Sequence, residues 1–172
     1  PKLEAYMKKN NFMTFREYFH SIRFDPSNEN MQALMNLITI NETYFFRENY
    51  QFEVLVNKVL YELDNIRPSS RPLRILCAPS ATGEEPYSIA LHLLSEGALV
   101  EKRDFEIVGI DIDSTVIEKA KNGKYSKRSV DFLPPALKSK YFTQNGLLHE
   151  IDGFLKDVVD FRVVNVMDDV QM

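Results

Sequence analysis

Gly83, Glu84, Glu85 and Asp111 are the residues of this chain whose types and spacing could do chemistry. The first three stand in "CAPSATGEEPYSIA", residues 77–90, and the fourth ends the apolar run in "FEIVGIDI". A loop that grips a pyrophosphate uses several glycines, so that backbone amides can close around the anion. Here a single glycine is followed by two carboxylates, which repel a phosphate. Asp111 offers a different handle, because a carboxylate at a strand end can accept hydrogen bonds from both hydroxyls of a ribose. It lies further from Gly83 than the roughly 20 residues usual in dinucleotide sites. The pattern points to a nucleoside without a pyrophosphate. Cys77 lies inside an apolar run and reads as a small core residue rather than a nucleophile. His20, His92 and His149 are far apart and lack metal-ligand spacing, so no metal site is expected.

These residues need elements to hold them. "LRILCA" is a short run of strand type, "PSATG" a turn, and "EEPYSIALHLLSEG" a helix with Pro86 in its first turn and Gly97 near its end. "FEIVGIDI" is a second strand, and "STVIEKAKNG" a second helix capped by Ser114 or by Asp113 and closed by Gly123. Strand, helix, strand, helix marks a βαβ unit with parallel strands and a right-handed crossover, so both strands point their carboxyl ends at one crevice. Gly83 falls in the first strand-to-helix turn, where a missing Cβ permits an unusual backbone angle or close approach of a ligand. S-adenosylmethionine fits such a crevice: it carries ribose, adenine, an ammonium and a sulfonium, and acidic residues attract its cations.

The chain divides near Arg47. Upstream, "MTFREYFHSI" and "PSNENMQALMNLI" read as amphipathic helices, the second with Met31, Leu34, Met35 and Ile38 on one face and Ser27 as N-cap. After "NETYFFRE" a longer helix starts near Asn49. Phe52, Leu55, Val56, Val59, Leu60 and Leu63 share one of its faces, and it ends before Arg67 and Pro68, where "RPSSRP" forms a polar turn. A helical domain and linker over residues 1–46 and an α/β domain over 47–172 are expected. "KYFTQNGLLHEIDGFLKDVVDFRVVNV" reads as several short strands.

With 172 residues and 44% hydrophobic content the chain can bury a core. Its 21 basic and 25 acidic residues leave a net charge of −4, which argues against a surface built to coat nucleic acid. No apolar run approaches the roughly 18 residues needed to span a bilayer, and no signal segment opens the chain. A reduced, metal-free, cytoplasmic protein is expected, with Pro1 a boundary rather than an initiator.

Taken together, "NETYFFRE", "PSATGEEPYSIA" and "GIDIDSTVIEKAKNGKY" closely resemble the chemotaxis receptor glutamate methyltransferases, the CheR family. The resemblance runs from "FMTFREYF" to "FRVVNVMDD". It implies an α/β fold, a Rossmann-like S-adenosylmethionine-dependent methyltransferase sheet truncated toward its C-terminus. An N-terminal helical domain and a small antiparallel β insertion at about residues 141–163 go with it. It also implies cofactor contacts at Asn41, Thr43 and Arg47 in the linker, at Gly83 and Glu85 in the first turn, at Asp111 on the ribose, and at Asn165 and Val166 beside adenine. Arg47 is in addition the candidate catalytic residue, because its planar fork matches a substrate carboxylate. Whether it meets the substrate, the methionyl carboxylate or both stays open.

The implied chemistry is an in-line displacement: a receptor glutamate oxygen takes the sulfonium methyl, giving a γ-glutamyl methyl ester and S-adenosylhomocysteine. A glutamate is already ionised at neutral pH, so no strong base is required, and alignment and removal of water would carry catalysis. The implied partners are the cytoplasmic domains of membrane chemoreceptors. "TQNGLLHE" is short and lacks nearby arginines, so no pentapeptide tether at the receptor C-terminus is expected to bind it. The family's later Asp-x-Ile-x-Cys-Arg-Asn-Val motif is absent, which leaves the sheet incomplete. Lys2, Lys8 and Lys9 resemble the end of a basic receptor-contact helix. A base-methylating enzyme would need an Asn/Asp-Pro-Pro-Tyr/Phe motif, whereas the Pro-Pro here stands in "FLPPALK". A dinucleotide oxidoreductase would need further glycines. The alternative is a non-catalytic module that senses the same cofactor for a partner.

Overall fold

The structure, a computed structural model, describes residues 2–66, 72–96 and 104–167. Gly97 and, Pro72 apart, the "RPSSRP" turn lie outside the described residues.

Three short helices open the fold: α1 (Lys2–Lys9), α2 (Phe15–Arg23) and α3 (Glu29–Ile38). A capping box starts α2, in which Thr14 Oγ1 accepts from the Glu17 N–H and the Glu17 carboxylate accepts from the Thr14 N–H. Asn28 occupies the N-cap position of α3 in a left-handed conformation, while Ser27, the expected cap, stands one residue earlier and accepts from the Glu29 N–H on its Oγ at 3.3 Å. The Asp25 carboxylate accepts from the N–H groups of Ser27 and Asn30. The charged acceptor makes the shorter bonds, 2.9 and 2.8 Å against 3.3 Å for the hydroxyl. Tyr18 packs against Tyr6 and Phe12 and is the only buried side chain among residues 2–44.

The long helix is interrupted. It comprises α4 (Asn49–Val54), a π turn (Leu55–Val59) and α5 (Leu60–Ile66). Phe52, Val56 and Leu60 are buried, while Val59 and Leu63 are 38% and 41% exposed, so the expected six-residue face narrows to three. Side chains four apart on an α-helix overshoot a full turn by roughly 40°. The wider π turn takes that overshoot back, which keeps 52, 56 and 60 in line and turns 59 and 63 away.

The α/β part follows the expected order: β1 (Leu73–Cys77), α6 (Glu84–Glu96), β2 (Phe105–Asp111) and α7 (Ser114–Asn122). Then come β3 (Lys124–Ser126), α8 (Lys127–Val130), α9 (Pro135–Tyr141), β4 (Phe142–Asn145), β5 (Leu148–Ile151), α10 (Gly153–Val158) and β6 (Val159–Val163). β1 and β2 are parallel, with Leu73 opposite Phe105 and Cys77 opposite Gly109. β6 joins the other edge of β2, also parallel, with Asp111 opposite Val163. A second, antiparallel sheet has the order β3-β5-β4. That sheet spans residues 124–151, and residues 159–163 belong to the parallel sheet. The expected range of about 141–163 missed β3 because a three-residue strand directly after the Gly123 helix end carries no measurable period.

The core lies between the parallel sheet and the helices on it, and includes Tyr87, Leu91, Ile107, Ile117, Leu155 and Phe161. Phe45, fully buried, extends it into the linker by meeting Tyr125 and Phe142 edge to face at 4.8 and 5.2 Å. Gly83 sits at φ +92°, and a Cβ there would lie 2.8 Å from Ala120 Cβ and 2.9 Å from Phe161 Cζ. Backbone strain and overpacking therefore act together. Gly83→Ala is expected to destabilise the fold by about 2 kcal/mol, read as a lower urea midpoint at unchanged slope.

Candidate functional site

Asp111, at the end of β2, is 5% exposed. Its Oδ2 accepts from the Ala81 N–H at 2.9 Å and its Oδ1 from the Asp113 N–H at 3.0 Å, so it ties the β1–α6 turn to the β2–α7 turn. An ionised carboxylate has about four lone-pair sites. Two are used here, which leaves capacity for two hydroxyl donors. Cys77, at the end of the neighbouring strand, is buried, and desolvation, with a smaller contribution from the Glu85 charge, pushes its thiol up to about 12. It has no nucleophilic role at neutral pH.

The linker after α3 supplies the other wall. Arg47 stands between two non-glycine residues with positive φ, Phe46 at 60° and Glu48 at 55°. Each such conformation costs about 1–3 kcal/mol, and such strain persists only where the surroundings enforce it. At Phe46 they do: its N–H donates to the buried Ser88 Oγ at 3.0 Å, and its ring packs 4.6 Å from His92. Arg47 Nη1 in turn donates to the Glu42 carbonyl at 2.9 Å. The strained turn presents an exposed guanidinium on a fixed base.

The two adjacent acids of the first turn divide by direction, as neighbours on a helix must. Glu84 turns inward, 3% exposed, and accepts from Ser129 Oγ at 2.7 Å and from Thr82 Oγ1 at 2.5 Å. Glu85 turns outward toward Arg47. Desolvation lifts its carboxyl above the ordinary range, and the Arg47 guanidinium pulls it back only in part.

Asn41, Thr43, Arg47, Glu85 and Asp111 line one cavity of about 310 Å³, together with Ser80. A second cavity of about 330 Å³ shares Pro79 and Asp111 with it and is walled by Ile110, Ile112, Asn165 and Val166. Gly83 lines neither. It closes the turn against α7 and β6, where an added Cβ would meet Ala120 and Phe161. Asn41 reaches the cavity wall but is already engaged, its amide donating to Asp113 Oδ2 at 2.9 Å and to Thr39 Oγ1 at 3.2 Å.

Asp113 is the residue whose importance the sequence understated. It is 2% exposed, caps α7 through the N–H groups of Thr115 and Val116, and accepts from Thr39 Oγ1 at 2.7 Å. Of the two candidate caps, Asp113 takes the position, and Ser114 Oγ instead accepts from Asn36 Nδ2. Burial by itself would raise the Asp113 carboxyl. Hydrogen bonds from Thr115, Thr39 and Asn41 outweigh that and hold it below the usual carboxylate range. The second acid of "DIDS" was the available signal.

This pair of cavities fits S-adenosylmethionine. Acids stand where a ribose and a cation can be met, and the second cavity is walled largely by aliphatic side chains suited to a flat base. Ser80, 2% exposed on the wall of the first cavity, has a hydroxyl without a hydrogen-bond partner among the described residues, a bond that a ligand can supply. No cluster among the described residues could hold a metal ion, and none of their helices is long and apolar enough to cross a membrane.

Comparison with known proteins agrees with this geometry. Residues 41–172 match the family described as "CheR methyltransferase, SAM binding domain". "Chemotaxis protein methyltransferase 2" of Vibrio cholerae serotype O1 is 46% identical over 149 residues, covering 87% of this chain and 50% of that protein. The "Probable chemotaxis protein methyltransferase" of Rhizobium etli is 31% identical across 96% of this chain and 63% of its own length. The "Chemotaxis protein methyltransferase" of Borreliella burgdorferi is 32% identical across 98% and 61%. The chain thus spans between half and two thirds of the length of these relatives. A match that starts in the linker and takes in both cavities assigns the chain to the CheR methyltransferase family, whose domain here is the one that binds S-adenosylmethionine.

Proposed function

We propose that the protein methylates glutamate side chains on the cytoplasmic domains of membrane chemoreceptors, using S-adenosylmethionine and forming glutamyl methyl esters for sensory adaptation in the cytoplasm. The observation that carries this reading is the convergence of Arg47, Glu85 and Asp111, from three separate segments, on one cavity in a chain of the CheR family. Residues 1–46 form the helical domain and linker in this reading, and residues 47–172 the catalytic domain.

When bound, S-adenosylmethionine supplies a methyl group on a positively charged sulfur. The roles of the chain's own residues follow from their placement. Asp111 holds the ribose hydroxyls with its spare lone pairs, and Asn165 and Val166 flank the adenine. Glu85 and Thr43 face the aminoacyl part, and the charge of Glu85 balances its ammonium. Asn41 acts at one remove, by holding the linker on Asp113. Arg47 steers the acceptor carboxylate with a planar fork on an exposed, strained turn. No group with a neutral-range pKa is needed, because a glutamate arrives ionised. Receptors without a pentapeptide tether are the expected substrates, since the β4–β5 turn is tight, with Gly146 at φ 63° and open space around it.

The test uses the full-length protein. Calorimetric titration with S-adenosylhomocysteine is expected to show binding, and Asp111→Ala to weaken it by about 1–3 kcal/mol, the value of lost buried hydrogen bonds. Label from the methyl donor should then appear on receptor cytoplasmic domains as a base-labile ester. Absence of binding in the full-length protein would overturn the nucleoside reading. Binding without transfer to any receptor would favour the cofactor-sensing module instead.

A further inference from the structure

A third cavity, of about 380 Å³, is assigned no role by the chemistry above. It shares Asn41, Glu42, Thr43 and Tyr44 with the first cavity and continues along β3 and α8. The linker is thus a common wall. Lys119 from the last turn of α7, Lys124 from β3 and Arg128 from α8 bring three cations to it. Lys119 has no ion pair among the described residues. The field of Lys124 reaches Glu150, but the ion pair of Glu150 is to Lys156, at 3.1 Å. Arg128 is held at 3.0 Å by Glu42, with both side chains more than two thirds exposed, a contact that water and competing anions exchange readily. The buried Glu84 on the same wall is already satisfied by Ser129 and Thr82.

The lining sets these three cations against two carboxylates, Glu42 and the buried Glu84, a local excess of positive charge in a chain of net charge −4. Such a cleft attracts anionic groups and aligns them before contact. Its occupant follows from its neighbour. Residues 41–44 wall both cavities, so a peptide whose glutamate enters the first cavity can reach the cationic cleft along that wall. We propose that this cleft receives an acidic side chain that flanks the methylated glutamate in the substrate peptide, bound by Lys119 and Lys124 and by Arg128 after it exchanges Glu42 for the incoming carboxylate. The inference rests on the reading of the first cavity as a glutamate methylation site. Lys119, Lys124 and Arg128 then set which glutamates are modified and take no part in the transfer itself.

The test compares two synthetic helical peptides that share one central glutamate, one with glutamates and the other with glutamines in the flanking positions. Binding to the full-length protein loaded with S-adenosylhomocysteine is measured by fluorescence anisotropy. The acidic-flank peptide is expected to bind about tenfold tighter, an advantage that raised salt removes. The double variant Lys119→Glu with Lys124→Glu should abolish that advantage, with S-adenosylhomocysteine affinity by calorimetry showing that the fold is intact. In turnover the same variant should raise KM for the acidic-flank peptide and leave kcat in place. Equal binding of both peptides, or an advantage that survives the double charge reversal, would overturn the proposal. So would tighter binding of a single-stranded oligonucleotide competing for the same residues, which would assign the cleft to phosphates. If the flank preference appears but neither peptide is methylated, the cleft stands as an acidic-peptide site and the methylation reading is what fails.

Discussion

Replacing Arg47 by alanine is expected to slow methyl transfer by about 10²–10³-fold, the usual scale for removing one preorganised charged group from a reacting centre. The guanidinium sits on a turn whose two flanking residues have positive φ and whose buried anchor, Phe46, is fixed by Ser88 and His92. Its position is therefore set before any substrate arrives. Arg47→Lys keeps the charge but loses the planar fork, and should fall between wild type and alanine. Single-turnover kinetics beside S-adenosylhomocysteine titration resolve which carboxylate the group holds. Loss of kcat with unchanged cofactor affinity puts it on the methyl acceptor; a parallel loss of affinity puts it on the methionyl carboxylate. Wild-type rates in both variants would remove Arg47 from the mechanism.

The second large effect is on stability. Asp113→Ala removes the α7 cap together with the acceptor for Thr39 and Asn41, and leaves several part-buried donors without partners. A loss of about 3–4 kcal/mol is expected in chemical denaturation, from a cap worth about 1 and charge-assisted bonds worth about 1.5–3 each, discounted for overlap. The same residue shapes the acid limb. Its folded pKa lies below the unfolded value, so its contribution is fully present above the unfolded carboxylate range and is lost as pH falls through the folded pKa. Glu85 works in the opposite sense. Its raised folded pKa means that the folded state binds a proton the unfolded state has released, and stability declines as pH rises from the unfolded value through the folded one. Asp113→Asn should flatten the acid limb of a pH–stability curve, and Glu85→Gln should remove the decline above it.

The residues that sequence could place were those fixed by local rules. Gly83 and Gly123 mark backbone turns, Asp111 and Asp113 close an apolar run, and the alternation of strand with helix gives two parallel neighbours whatever else the chain does. Long-range facts were not legible in the same way. Nothing in "FFRE" announces positive φ at Phe46 or Glu48; at Phe46 it is enforced by burial against α6 rather than by residue type. The run "VVDFRVV" has the composition of any strand. Only pairing with β2 assigns residues 159–163 to the parallel sheet. The π turn was hidden for a similar reason, since an apolar period near 3.6 over residues 52–63 describes an ordinary helix equally well. Adjacent acids at 84 and 85 read as one feature, and the fold gives them separate tasks.

The helical arm of residues 2–44 contributes a single side chain, Tyr18, to the buried set and reaches the α/β part through polar contacts and through Tyr44, whose ring lies 4.9 Å from that of Phe132. Gln32 donates to the Ile112 carbonyl, Asn36 to Ser114, and Thr39 and Asn41 to Asp113. The bonds of Gln32 and Asn36 can be exchanged for water at small net cost, whereas those to the Asp113 carboxylate are charge-assisted and worth about 1.5–3 kcal/mol each. Parting of the arm from the β2–α7 turn, with the sheet and its core closed, is therefore a sub-global opening whose cost is set mainly by the Asp113 latch. Because Asn41 and Thr43 ride on the end of that arm and wall the first cavity, the same latch sets how readily that wall opens.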